Sequence, residues 1–391
     1  MAPPPPALPE ELVEEILLRF PPDDPALLVR AALVCRRWCR LVSDPGFPRR
    51  FRELHRAPPL LGFLCNLTGA YGVDVARLVP TAAPFCSPRA DRRGLRALDA
   101  RHGRVLLHTD PKDPQEDHFF VWNPITEEQQ KLPLPPVPVR RRPLKWWSWK
   151  AAVLCAARDG CDHLDCHLGP FLVIFVYVSI ISWDTFAFVY SSKADAWSEF
   201  TVARSRLPYN RFELGASALV SNALYFRCLN DIESFYRRSI ILRCDVTTGE
   251  MSMIYPPQEG SSQRHYVLMA MEDDRLGFAA VLNYRLHLWS REVGPNGDAS
   301  WAQSRVVELD AIVFGDALST EPRLAGFADG IKLVFIWTTA GYFIVDLKSD
   351  HIKKLGDGYG FGGIIPYTAF CTPALRAVFA EEGPGAVALG S

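Results

Sequence analysis

The chain has 391 residues, of which 48% are hydrophobic and 22% charged, and its formal net charge is -1. That length admits one large β domain with a small companion, or two to three ordinary domains. The near-neutral balance excludes a global attraction to nucleic acid or membrane. The ten cysteines follow no cationic and apolar leader, so they are expected to be reduced thiols of the cytosol or nucleus.

Residues 1–7 are a Pro-rich tail, expected to be disordered. The stretch "LPEELVEEILLRFPP" at 8–22 predicts a helix. Pro9 suits a first helical position, Glu10 and Glu11 favour the positive end of the helix dipole, and Pro21-Pro22 stops the run. Leu12, Ile16, Leu17 and Phe20 supply an apolar stripe. Asp24-Pro25 restarts a helix carrying Leu27, Leu28, Ala31 and Ala32. A third helix carries Val34, Trp38, Leu41 and Val42, and ends before Asp44-Pro45. About forty residues bury too little surface to stand alone without a metal, a disulfide or a partner. Leu8 occupies a position where a polar cap is expected, and with Pro9 it is read as presented to another protein.

Leu8-Pro9, Glu15-Ile16-Leu17, Pro21, Leu27-Leu28, Val34 to Trp38 and Ser43 to Phe47 occur in the order and spacing of an F-box, which residues 8–50 resemble. The resemblance implies a three-helix module that docks on a Skp-type adaptor and, through it, a cullin. It implies adaptor-binding roles for Leu8, Pro9, Leu12, Ile16, Leu17, Leu27, Leu28, Val34, Cys35, Trp38 and Leu41. It further implies that the rest of the chain selects a protein to be ubiquitinated.

Residues 51–59 read as a basic hinge ending at Pro58-Pro59. From residue 60 onward one pattern recurs: an apolar strand, a polar turn, a second apolar segment and a closing strand. Copies run from Leu98 to Pro136, from Gly169 to Val202, from Ser217 to Pro257, from Leu268 to Leu309 and from Leu324 to Asp357. This is the pattern of a β-propeller rather than a helical solenoid. Strand-like segments near 58–66 and 367–379 predict one more blade, built from both ends. The expected fold class is therefore α+β multidomain: a small three-helix module, then an all-β propeller of about six blades over 60–391. This region also resembles the propeller-like associated domains of plant F-box proteins, on phrases such as "LDARHGRVLL" and "FFVWNP".

The run "FLVIFVYVSIISWDTFAFVY" at 171–190 is long enough to span a bilayer. Its β-branched and aromatic content, and Asp184 within it, predict two buried strands instead. In "RRRPLKWWSWK" at 140–150, basic and aromatic residues alternate as in single-strand nucleic-acid binders, yet Trp147 and Trp149 suit a strand core. "GYGFGG" near 360 lacks the following helix of a dinucleotide loop.

Cys155, Cys161, His163, Cys166 and His167 crowd one segment. Their spacing departs from the paired C-x2–4-C of structural zinc sites, so no metal or other cofactor is assigned. The segment is read as a loop on the substrate-reading face, dispensable for folding. No catalytic constellation is found, and no substrate-binding residues are assigned. The rival functions are a propeller hydrolase or lyase acting at the central channel, and a metal- or nucleic-acid-binding module using 155–167 or 140–150.

Overall fold

All α-helices among the described residues lie between positions 10 and 55. The computed structural model describes residues 8–68, 74–81, 91–109, 117–137, 148–157, 161–164, 166–179, 184–203, 210–213, 215–230, 238–257, 266–271, 273–294, 296, 298–309, 322–356 and 363–372. The tail at 1–7, most of the basic-aromatic run at 140–150 and the Gly-rich 357–362 fall outside these residues.

Helix α1 (Glu10–Leu18) begins at Pro9, with Glu10 and Glu11 in its first turn. The Asp24 side chain caps α2 (Pro25–Ala32) by accepting from the Ala26 amide at 3.2 Å. Then come α3 (Arg36–Val42) and α4 (Phe47–His55). The fourth helix corrects the expected three helices and hinge. Phe47 and Phe51, one turn apart, are buried with ring centroids 6.0 Å from each other. The basic residues between them face water, where Arg49 pairs with Glu53 at 2.8 Å. The run is an amphipathic helix whose charged face masks its two-residue apolar face. Val13, Leu17, Leu28, Val42, Phe47 and Phe51 form the core of the helical module, and the β domain contributes Phe370 and Leu164 to it.

The β domain begins with β1 (Leu60–Thr68), β2 (Asp74–Pro80), β3 (Arg92–Arg93), β4 (Leu95–Arg101), β5 (Arg104–Thr109), β6 (Phe119–Trp122) and β7 (Gln129–Leu132). A second group is β8 (Ser148–Cys155), β9 (Phe171–Val178), β10 (Thr185–Ser191) and β11 (Ala196–Ala203). The third is β12 (Asn210–Phe212), β13 (Ala218–Val220), β14 (Ala223–Asn230), β15 (Arg238–Asp245) and β16 (Met251–Ile254). Next are β17 (Tyr266–Ala270), β18 (Leu276–Leu282), β19 (Arg285–Val293) and β20 (Ala299–Glu308). The last are β21 (Arg323–Ala328), β22 (Leu333–Thr338), β23 (Gly341–Asp346), β24 (Ile352–Gly356) and β25 (Ile364–Thr368).

Each of these groups from β8 onward, apart from β25, is one antiparallel sheet with its strands in chain order, except that β12 and β13 share β14. The β1–β7 group and β25 form an eight-stranded sheet. Within it β2 meets β4 in a single parallel pair, Val75 with Leu95. The chain's last described strand pairs with its first β-strand: in β25 and β1, Ile365 lies opposite Leu64 and Tyr367 opposite Gly62.

Strands of successive sheets touch in order: β4 on β8, β8 on β12, β13 on β17, β17 on β21 and β21 on β25; within the eight-stranded sheet β25 also touches β4. Where β21 meets β25, a side chain at Gly326 would begin 2.6 Å from the Ile364 carbonyl oxygen. Only glycine allows that approach. Apolar clusters fill the spaces between sheets, as where Leu106, Phe119 and Phe175 meet and where Phe63, Phe335 and Tyr342 meet. The spanning-helix mimic resolves into β9, buried over nearly its whole length, and β10. No helix of the described residues is long and apolar enough to cross a membrane.

The repeat extends to the turns. Asn123 just after β6, Asp245 at the end of β15 and Asp346 at the end of β23 act alike: their side-chain oxygens accept from the amides of Ile125 (3.0 Å), Thr247 (2.9 Å) and Lys348 (2.8 Å). Such Asx turns reverse the chain without help from a neighbouring strand. Two outer-strand tryptophans also recur in role: Trp197 donates to the Pro133 carbonyl and Trp301 to the Tyr255 carbonyl, both at 2.7 Å. Each ties one sheet to the exit of the sheet before it.

Candidate partner-docking site

Helix α1 carries two apolar faces. Val13 and Leu17 point into the helical core. Leu8, Leu12 and Ile16, spaced by four residues, form an outer row that stays about half exposed. The connection from α2 to α3 adds Leu33, 77% exposed, and Val34, 64% exposed. An ion pair of 3.5 Å joins Arg37 at the start of α3 to Glu10 at the start of α1. It brings this connection to the same end of the module as Leu8 and Leu12. A helix with both faces apolar has one face too many for a free surface.

Of the sequence-assigned docking residues, Leu8, Pro9, Leu12, Ile16, Val34 and Cys35 are exposed. Leu27, Trp38 and Leu41 are half-buried, the last two against the helical core. Leu17 and Leu28 are fully buried, so their role is to hold the helices together. Leu33 escaped the reading of the sequence. It is the C-cap of α2, and an apolar residue just past a helix end is the signal that marks it.

A cavity of about 410 Å³ opens beside the link from the helical module, lined by Arg56, Pro58, Asp99, Arg101, His163 and Asp329 among others. Its charged groups join strands of different sheets. Buried Asp99 on β4 accepts from Arg101 and from the Val153 amide of β8 at 3.0 Å. Arg101 also donates to the Ser217 carbonyl ahead of β13, and to its hydroxyl at 3.2 Å. Asp329, just after β21, accepts from the Ala270 amide of β17 at 3.2 Å. Burial pushes both carboxyls above their ordinary range, and Arg101 opposes the shift at each. These acids are spent on a belt of ties between inner strands.

Lys150 on β8 belongs to the same belt, donating to the Gly215 carbonyl at 2.7 Å. Burial, reinforced by Arg96 and Arg227, lowers its ammonium from 10.5 to about 7. Between those values the unfolded chain binds a proton that the folded chain does not. Stability therefore rises with pH across that window, by up to about 1.4 kcal/mol per pH unit. Lys150→Met is expected to flatten this slope and stabilise the protein at neutral pH. Denaturant unfolding between pH 7 and 10 checks it, and an equal slope in both proteins would show that Lys150 keeps its proton.

At the wall of the cavity, four of the five metal-type residues converge. The ligand atoms of Cys155, Cys161, His163 and Cys166 all lie within 4.8 Å of one another, without His167. Of the basic-aromatic run, the described Trp149 packs against the cluster containing Phe119 and Phe175.

A family model for the F-box domain matches residues 6–50. A second, described as "F-box protein AT5G49610-like, beta-propeller", matches residues 96–374. The Arabidopsis thaliana chain named as F-box protein At3g16210 is 29% identical over 131 residues, a stretch covering 33% of this chain and 33% of that one. Among solved structures, a chain of a nidogen/laminin complex covers 79% of this chain over 99% of its own length, at TM-score 0.43 and 11% identity. The WD40 domain of SCAP from fission yeast covers 66% of this chain over 51% of its own, at TM-score 0.35 and 11% identity. At these values neither structural match bears on what the chain does.

Proposed function

Because the chain belongs to the F-box protein AT5G49610-like, beta-propeller family and carries an F-box at its N-terminus, we propose that it is the substrate-recognition subunit of a Skp–cullin–F-box ubiquitin ligase. The F-box docks a Skp-type adaptor that leads to a cullin, and loops of the propeller bind a target protein. The subunit does no chemistry itself. It raises the effective concentration of the target's lysines at the ubiquitin-charged enzyme, in the cytosol or the nucleus. In this reading the domain has six blades: the eight-stranded sheet is two of them, joined only at Val75 and Leu95. One of the two is built from β25 with β1 and β2.

The observation that carries the reading is the outer row Leu8, Leu12 and Ile16 on a helix whose inner face is already buried. Interfaces concentrate their energy in a few such apolar anchors. Changing all three to Ala is expected to cost on the order of 2 kcal/mol of adaptor binding, roughly thirtyfold in affinity. The melting temperature stays within a degree or two, because the three side chains lie outside the core. Pull-down of adaptor and cullin by wild-type and triple-variant protein, with melting curves alongside, tests this. Capture of no adaptor by wild type, or equal capture by both folded proteins, sinks the proposal. Specific capture of a small molecule at the channel, with turnover, would instead favour a propeller enzyme.

A further inference from the structure

Cys155 is the last residue of β8, and Cys161, His163 and Cys166 follow on its connection to β9. The Sγ atoms of Cys155 and Cys161 are 3.9 Å apart, and Cys166 Sγ is 3.7 Å from His163 Nδ1. Tetrahedral zinc, with Zn–S near 2.3 Å and Zn–N near 2.0 Å, requires about 3.8 Å between sulfurs and about 3.6 Å between sulfur and nitrogen. We propose that these four residues bind a zinc ion as a structural Cys3His site. Three sulfurs and one imidazole are the donor set that a borderline-soft cation selects over calcium or magnesium.

The surroundings suit such a centre. The Ala157 amide donates to Cys155 Sγ at 3.4 Å, an outer contact that orients a thiolate ligand. Three thiolates on a divalent cation leave one net negative charge. Arg104 sits beside the cluster to balance it, donating to the carbonyls of Cys166 and Gly169. The backbone closes around the loop where the Ala156 amide donates to the Pro170 carbonyl at 3.0 Å. A Cys155–Cys161 disulfide would employ two of the four residues and leave His163 and Cys166 without a purpose.

The site has a mechanical role. Leu164 lies between ligands His163 and Cys166 and packs against the helical core, to which Phe370 also belongs. Zinc thereby anchors the loop that holds the F-box against the propeller, and the cysteine segment is not dispensable for folding. This inference is independent of the ligase reading, since it concerns metal and stability rather than any partner.

Full-length protein, purified under reducing conditions without chelator, is expected to contain one zinc per chain by elemental mass spectrometry. Cys161→Ser/Cys166→Ser is expected to reduce that content at least tenfold, whereas Cys228→Ser/Cys244→Ser leaves it unchanged. Chelation should lower the wild-type melting temperature and zinc should restore it. Should the double variant fail to fold, wild-type protein stripped and refilled with cobalt(II) decides. The thiolate charge-transfer and tetrahedral d–d bands support the site. Metal-free wild-type protein that takes up no cobalt, a Cys155–Cys161 disulfide in the reduced preparation, or full zinc content in the folded Cys161→Ser/Cys166→Ser variant overturns it.

Discussion

A chain ending at residue 362 is expected to aggregate instead of folding to a monomer. The truncation removes β25, whose Ile364, Ile365 and Tyr367 are buried, together with Phe370. Each such side chain is worth about 1.5–3 kcal/mol of burial, so their sum reaches the whole stability of a typical domain, about 5–15 kcal/mol. The hydroxyl of Tyr367 also donates to the Gly103 carbonyl at 3.1 Å, tying the terminal strand to the turn between β4 and β5. Loss of β25 bares the edge of β1 from Leu60 to Cys65, and an open apolar edge recruits other chains. A chain ending at 372 keeps every described strand and serves as the control. Size-exclusion profiles and melting curves decide the matter; a monomeric 362-residue chain with the wild-type melting temperature would show that β25 contributes nothing to the stability of the β domain.

Arg101→Leu is expected to cost about 3–5 kcal/mol, the usual penalty for stranding a buried charge. Asp99 is 1% exposed and loses its only ion-pair partner in the described structure. The Ser217 carbonyl loses its donor at the same stroke. Adding Asp99→Asn to Arg101→Leu removes the stranded charge, so the double variant should recover a large part of the loss. Denaturant unfolding of the two single variants and the double variant measures the coupling. Additive costs would mean that the pair is not a unit.

The helical landmarks and the strand repeats were legible because each is a local pattern: caps and prolines at helix ends, alternation of strand and turn along the β domain. Several features were not. Helix α4 hid because its two phenylalanines sit among arginines, and only the four-residue spacing of Phe47 and Phe51 betrays it. Leu17 and Leu28 could not be told from Leu12 and Ile16, since periodicity finds apolar faces without saying which one has a neighbour. The convergence of Cys155, Cys161, His163 and Cys166 was hidden for a related reason. The spacing rule assumes ligands carried by one compact knuckle, whereas Cys155 comes from the end of a strand and its distance from Cys161 is set by the sheet. The belt of Asp99, Arg101, Lys150 and Asp329 draws on several sheets, so no window of sequence contains it.

The contact of Phe370 with Phe51, ring centroids 6.3 Å apart and edge to face, has a bearing on biosynthesis. The helical module is synthesised before the β domain, yet one wall of its core arrives with nearly the last described residues. Until then the nascent helices lack that wall, and the helical module matures only once Phe370 is in place. A ribosome that stalls before residue 370 releases a chain whose helical core is unfinished. Under the proposed function, such a product is expected to engage an adaptor less firmly than a chain that contains Phe370.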